Sequence, residues 1–308
     1  MVAPLFLYLA FVAAVGVALF AGVVYYQGDA AATNRLSQHG LTPARSAAAV
    51  AVALTVTAVL HLLAGPEAVA AWTAGRRAVL RVGVWVVALV AGCEGIAGAV
   101  GLARRWRRLR ADATTGRIGS RVAVSGRVTA TATSPAPVTG REAVCWSWTV
   151  AVVGPGRRRP DPDEGMFTVC GGTGGHRFRV ADEGGPVWVD VEDATMDLAR
   201  ERTRSLEGHS FGPVGAPAPD VERDYGDRPR RYTESVLEPG AHAAVIGTVV
   251  GRDEGRPVVG DGAHVAAGSA RTVGTRYRRR AALYATGGLV VATVGCVGLA
   301  WTLGLAGP

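Results

Sequence analysis

The sequence predicts a membrane protein with four transmembrane α-helices and a β-rich cytoplasmic domain, built as a small barrel or sandwich. Three observations predict it. Four apolar runs are of a length to cross a bilayer. Arginine clusters flank the segment between the third and fourth runs. That segment carries short β-branched stretches separated by turn residues. Hydrophobic residues make up 49% of the 308 and charged residues only 19%, a balance that puts the membrane class first.

The first run, Leu5 to Tyr26, has no charge. At ~1.5 Å per residue it spans a hydrocarbon core of ~30 Å. A signal peptide would need a positive N-terminal region and a shorter apolar stretch, which argues against that alternative. Ala47 to Ala64 is the second run and is rich in Ala; Val79 to Ala103 is the third; Ala281 to Leu305 is the fourth. The chain therefore reads as a three-helix region (1–103), a basic juxtamembrane segment (104–110), a β-rich domain (111–275) and a last span with its flank (276–308). Arg104 to Arg110 (RRWRRLR) follows the third run, and Arg276 to Arg280 (RYRRR) precedes the fourth. Arginine clusters beside spans stay on the cytoplasmic side. This places residues 104–280 in the cytoplasm and the N-terminus outside, with Arg76 and Arg77 as the opposing charges. Trp106 and Tyr277 fall where interfacial aromatic rings are favoured.

Inside the spans, Glu94 stands out, because an intramembrane acid is by default a candidate functional group. Its expected partner is Thr55 or Thr57 at similar depth on the second run, and this trio forms the candidate polar site of the membrane region. Gly92, Gly95, Gly98 and Gly101 on the third run, and Gly287, Gly288, Gly295 and Gly298 on the fourth, form small-residue surfaces. Such surfaces let helices approach closely in lipid, and they also suit a helix-mediated homo-oligomer.

In the soluble part, alternation predicts strands at 121–129, 143–153, 176–180, 187–191, 231–237 and 242–250. A short helix is predicted over 193–207 and a Pro/Gly-rich loop over 208–230. Glu238-Pro239-Gly240 predicts a turn between the last two strands. Two strands share a V-x-G-x-V pattern, one around Gly126 and one around Gly247. Gly in such a strand marks a bulge or a close backbone approach.

No catalytic constellation, cofactor site or metal site emerges. CGGTGGH, Cys170 to His176, lacks the Lys-Ser/Thr pair of a phosphate loop and reads as a hairpin loop. Cys145, Cys170 and His176 match no zinc spacing. The segment 111–275 carries about 19 Arg against about 22 acidic residues, which excludes a nucleic-acid surface on the domain.

Three pieces in order resemble the GIDE-type, or "beside a membrane", domain family. The first is SPAPVTGREAVCWSWTV, with Cys145 and Trp146. The second is VADEGGPVWVDVEDA, with Asp190. The third is RYTESVLEPGAHAAVIGTV, with Arg231, Glu234, Pro239, Gly240 and Gly247. The resemblance covers roughly residues 116–305. It implies a β-rich module beside a membrane and the label of an E3 ubiquitin ligase. The family's ligases carry a zinc-binding RING after the last span, whereas Pro308 follows that span by three residues and the four cysteines do not supply one. The expectation is a non-catalytic anchored module for protein interaction or membrane sensing, with the bilayer and a protein as partners. The alternatives are a ligase subunit that recruits a RING in trans and a small ion or proton channel centred on Glu94.

Overall fold

The computed structural model describes residues 37–73, 76–110, 117–153, 166–182, 185–198, 205–206 and 230–305. The chain divides into two units. Among the described residues the first holds 39–104 and 278–305, and the second holds 37–38 and 105–277.

Among the described residues three helices carry the first unit: α1 (Pro43–Thr73), α2 (Arg76–Arg110) and α3 (Ala270–Thr302). Each contains a stretch long and apolar enough to cross a membrane. The predicted first span, Leu5 to Tyr26, lies outside the described residues. Pro43 opens α1 with its φ preset for a helix, and the Thr42 hydroxyl accepts from Arg45 N at 3.4 Å. At Gly65 the backbone turns non-helical (φ 77, ψ 171), directly before Pro66, which has no N–H to continue the ladder. At the other end, Gly304 closes α3 in the left-handed conformation. Its N–H bonds Trp301 O at 3.1 Å, and that of Leu305 bonds Ala300 O at 2.9 Å.

The helices meet through small residues. A Cβ built on Gly288 would lie 2.7 Å from Gly92 O and 2.8 Å from Ile96 N, and one on Gly295 would lie 2.8 Å from Leu89 N. Around these contacts Val50, Ala53, Val82, Val86, Leu89 and Leu299 are buried together. Facing outward, Leu62, Leu63, Leu283, Leu289 and Trp301 are all more than half exposed. Such a continuous apolar exterior suits lipid and would be costly in water.

Among the described residues the second unit contains twelve strands: β1 (Arg121–Ala130), β2 (Ser134–Pro135), β3 (Glu142–Ala143), β4 (Cys145–Val153), β5 (Met166–Gly175), β6 (Phe178–Asp182), β7 (Gly185–Val189), β8 (Thr195–Asp197), β9 (Ser205–Leu206), β10 (Arg230–Leu237), β11 (His242–Asp253) and β12 (Arg256–Ala267). Strands β11, β1, β6, β7 and β12 pair in that order, and β12 pairs back to β11. The ring is closed, so a barrel and not a sandwich is formed. Its one parallel pair is β7 with β12. This is a five-stranded Greek-key barrel of the OB type, and β8 adds to it alongside β12.

The two V-x-G-x-V strands are neighbours in this barrel, with Val124 opposite Val245 and Val122 opposite Gly247. Their inward valines, with Phe178, Val180, Val189, Val259 and Val265, fill the core. A second sheet, β5-β4-β10-β9, stands beside a small hairpin of β2 and β3.

Several predicted elements are corrected. Residues 195–197 form β8 instead of a helix. Asp193 adopts a left-handed backbone (φ 59), which no α-helix accommodates, and Thr195–Asp197 pair in parallel with β12. Cys170 to Gly175 continue β5 and do not form a loop. Glycine suits that strand because Trp146 and Trp148 of β4 lie across it, 2.9–3.2 Å from the Cβ positions of Gly174 and Gly172. The sequence reading omitted β12, whose run is broken by Gly260-Asp261-Gly262. It joins β11 through Glu254-Gly255, both at positive φ (49 and 76), the two-residue turn that matches strand twist. The predicted loop 208–230 lies outside the described residues, save Arg230.

Candidate functional site

The singled-out residues divide between structural roles and a polar cluster that sequence reasoning missed. In the helical unit, Glu94 does not pair with Thr55 or Thr57. The hydroxyls of those threonines return to the carbonyls one turn back, Ala51 O and Ala53 O, each at 2.8 Å. Ser46 Oγ donates to Glu94 Oε2 at 3.1 Å instead. A threonine on an apolar helix satisfies its hydroxyl locally, which leaves Ser46 as the available donor.

Glu234 sits on β10 and is 1% exposed. Its carboxylate accepts from Val138 N and Thr139 N, both at 2.9 Å, and from the Thr139 hydroxyl. It therefore holds the turn of the β2–β3 hairpin. Pro239 and Gly240 form the predicted turn. Gly240 has φ 81, Ala241 N bonds Glu238 O at 3.2 Å, and Gly240 N reaches back to Val128 O at 2.8 Å. These are the marks of a type II turn, where Gly is required at the third position. Gly247 marks both a bulge and a close approach. The β11–β12 register shifts there, and a Cβ would lie 2.5 Å from Val259 Cγ1.

Cys145 is fully buried, and burial pushes its thiol up to about 12, which keeps it protonated and packed in the barrel core. It pairs with Gly175, whereas Cys170 pairs with Val150. That register separates the two thiols by five positions, about 17 Å along the ladder. His176 faces Ser134, with Nε2 2.6 Å from Oγ. Among the described residues no group of three or more His, Cys, Asp or Glu side chains is placed to hold a metal ion. Trp146 is half-buried against β5. Asp190 accepts from Glu192 N at 3.1 Å and so shapes the turn into β8. Arg231 is a ladder residue between Ala151 and Ser205.

The cluster that sequence reasoning missed surrounds His264. Strand β8 lies parallel to β12 with Thr195 opposite His264. Period-2 alternation puts Thr195 and Asp197 on that same face. The last turns of α2 bring Arg105, whose guanidinium donates to Ser37 O and, at 2.8 Å, to Ser37 Oγ. Ser37 Oγ reaches Thr195 Oγ1 at 3.2 Å, and Gln38 Nε2 donates to Met196 O at 2.7 Å. The first turns of α3 bring Arg276, which pairs with Asp197 Oδ2 at 3.2 Å. They also bring Tyr277, whose hydroxyl lies 2.5 Å from His264 Nε2. Tyr277 is thus fully buried and is not the interfacial ring expected from its position.

Arg105 Nη1 stands 3.5 Å from the same Nε2. A guanidinium only donates, so Nε2 is the acceptor and Nδ1 carries the proton. That Nδ1 is buried and, among the described residues, has no hydrogen-bond partner. Burial, then Arg105 and Arg276, hold His264 well below its ordinary pKa; the ring is neutral at neutral pH. The start of α3 is also tied to the barrel, since Ala270 N donates to Ser125 Oγ of β1 at 2.8 Å. Chemically the cluster is a clasp. It fastens the end of α2, the start of α3 and the segment at Ser37 onto β8 and β12.

Fold and site thus define a chain that joins a five-stranded barrel to three helices long and apolar enough to cross a membrane. No family model matches the chain, and no curated protein or solved structure is similar to it.

Proposed function

We propose that the chain is a non-catalytic, membrane-anchored β-module that holds its barrel at the cytoplasmic surface and presents it to a protein partner. The supporting observation is the His264 clasp. Within the second unit, Arg105 on the last turns of α2 and Arg276 on the first turns of α3 join one network with Ser37, Asp197 and His264. Fixing these side chains costs conformational entropy, which suits a structural device and not a site that must turn over substrate. The burial of Glu234 and Cys145 and the turn made at Gly240 support a structural reading of the family-like motif positions.

Site-specific photo-crosslinking in native membranes tests this. Photoreactive residues at Arg127 and Arg252 on the barrel should yield discrete protein adducts, and residues at Leu283 and Val290 should yield lipid adducts. Barrel probes that give no adduct would overturn the partner reading.

The Ser46–Glu94 pair favours examining one rival, an ion or proton pathway through the helices. Flux in vesicles that Glu94→Gln abolishes would establish it. The GIDE-type resemblance supports another, a ligase subunit working with a RING in trans. Its mark would be a RING protein among the barrel adducts.

A further inference from the structure

Alternation along β6 sends Phe178 and Val180 into the barrel core, both at 0% exposure, and turns Arg177 and Arg179 to its outside. The same period on β7 turns Trp188 outward, between Val187 and Val189, which pack in the core. Arg179 and Trp188 stand opposite each other in the β6–β7 ladder. Both guanidinium groups lie over the indole, with Cζ at 4.7 Å (Arg177) and 4.0 Å (Arg179) from the ring centre, within the range of a cation–π contact. Although it points outward, Trp188 is only 6% exposed. The two guanidinium groups are held in turn by the β11–β12 hairpin. Arg177 Nη1 lies 2.9 Å from Asp253 Oδ2, and Arg179 Nη2 lies 3.2 Å from Glu254 Oε2.

Two features of this face call for oxygen acceptors. Arg177 Nε, Arg179 Nε and Trp188 Nε1 are buried and, among the described residues, have no hydrogen-bond partner. Buried donors are nearly always paired. The charge is also uneven. Arg127 is exposed on β1 and diagonal to Arg179 across the β1–β6 ladder. Arg256 is exposed opposite Asp253 in the hairpin. Neither has a carboxylate partner among the described residues. The described side chains of this face thus set these four arginines against Asp253 and Glu254. Those two carboxylates are open to water, at 44% and 65% exposure. Exposed pairs of this kind shift an equilibrium by about fivefold at most, so the carboxylates of another molecule can take their place.

We propose that this outer face, Trp188 with Arg127, Arg177, Arg179 and Arg256, docks an acidic segment of a protein partner, whose carboxylates replace Asp253 and Glu254 on the guanidinium groups. This names the chemistry of the partner and rests on the reading of the barrel as a protein-binding module. Arginine takes a carboxylate through paired, coplanar N–H donors. Tryptophan and arginine are also the side chains that carry most of the energy of protein interfaces. In the free chain the hairpin's own carboxylates occupy the site. Removing one of them should therefore strengthen binding, a gain that a purely structural stack of arginine on tryptophan does not produce.

The test titrates the full chain, in an uncharged detergent, into fluorescein-labelled octaglutamate and reads binding by anisotropy, with octaglutamine as the neutral control. Octaglutamate should bind and octaglutamine should not. Arg177→Gln and Arg179→Gln should each weaken binding about fivefold. Glu254→Gln should strengthen it about threefold. That variant leaves both arginines on the indole, so it guards against arginine variants that do not fold. Arg107→Gln and Arg278→Gln, at the helix ends, should leave binding unchanged. If these two weaken it as much as Arg179→Gln does, or if Glu254→Gln brings no gain, the proposal is overturned. A thymidine octanucleotide that binds as tightly as octaglutamate would also overturn it, since that marks a face for any polyanion. Discrete protein adducts at the barrel in native membranes, from a chain that does not bind octaglutamate, would leave the module reading standing and remove this docking face.

Discussion

Glu234 and His264 are buried for opposite electrostatic reasons. Glu234 is a carboxyl group placed where two backbone N–H groups and a hydroxyl converge. Removing it in Glu234→Ala leaves two donors buried, at a cost of about 3 kcal/mol. Glu234→Gln keeps one acceptor oxygen and should cost about half as much. Thermal unfolding of the two variants in detergent should rank them in that order; equal midpoints would mean that the turn does not depend on the carboxylate. His264 is a neutral ring between two guanidinium groups. Its folded pKa is depressed, so between that value and about 6.5 the unfolded chain binds a proton that the folded chain refuses. Stability rises with pH wherever the unfolded state binds more protons. Acidification below about pH 6.5 should therefore destabilise the barrel by up to about 1.4 kcal/mol per pH unit. In His264→Gln that part of the slope should vanish, and a pH series of unfolding midpoints from 7.5 to 5.5 checks it.

The elements show which patterns sequence reasoning can read. Strand β11 was legible because Val245 and Val249 alternate and a Pro-Gly turn precedes them. Both valines prove to be core, at 1% and 0% exposure. Val245→Asp should abolish protease resistance, since an unpaired buried charge costs more than about 4 kcal/mol of a total near 5–15. Val250→Asp, on a side chain 46% exposed, should leave it intact. The glycine surfaces of the helices were legible too, though not residue by residue. Gly288 has backbone on all sides, whereas Gly287 has nothing within 4 Å. Gly288→Ala should lower the melting point of the helical unit, a loss of about 1–3 kcal/mol, and Gly287→Ala should not. Strand β5 was illegible because its packing atoms belong to the indoles of β4. In the described part of the predicted 193–207 helix, Asp193 is left-handed and Thr195–Asp197 take their hydrogen bonds from β12 instead. The His264 clasp was illegible for a further reason. It joins Ser37 to Thr195 and Arg105 to His264, pairs 158 and 159 positions apart, and nothing in a single sequence couples such distant positions.

For the whole molecule, the decisive property is the side of the membrane on which the barrel stands. Charge provides the argument. Arg104 to Arg110 and Arg276 to Arg280 bracket the barrel, and only Arg76 and Arg77 oppose them at the α1–α2 connection. Arginine near span ends resists translocation, and the larger cluster sets the orientation. Cysteine accessibility reads the outcome directly. Cys145 is buried, and Cys93 and Cys296 lie within the helices, so a background with Cys170→Ser presents little reactive thiol of its own. Arg127→Cys and Arg252→Cys on the barrel should then be inert to a membrane-impermeant maleimide in intact cells and react once the membrane is opened. Ala64→Cys, near the α1–α2 connection, should react in intact cells. If the barrel positions are labelled from outside, the arginine clusters do not set the topology, and the cytoplasmic placement of the barrel falls with them.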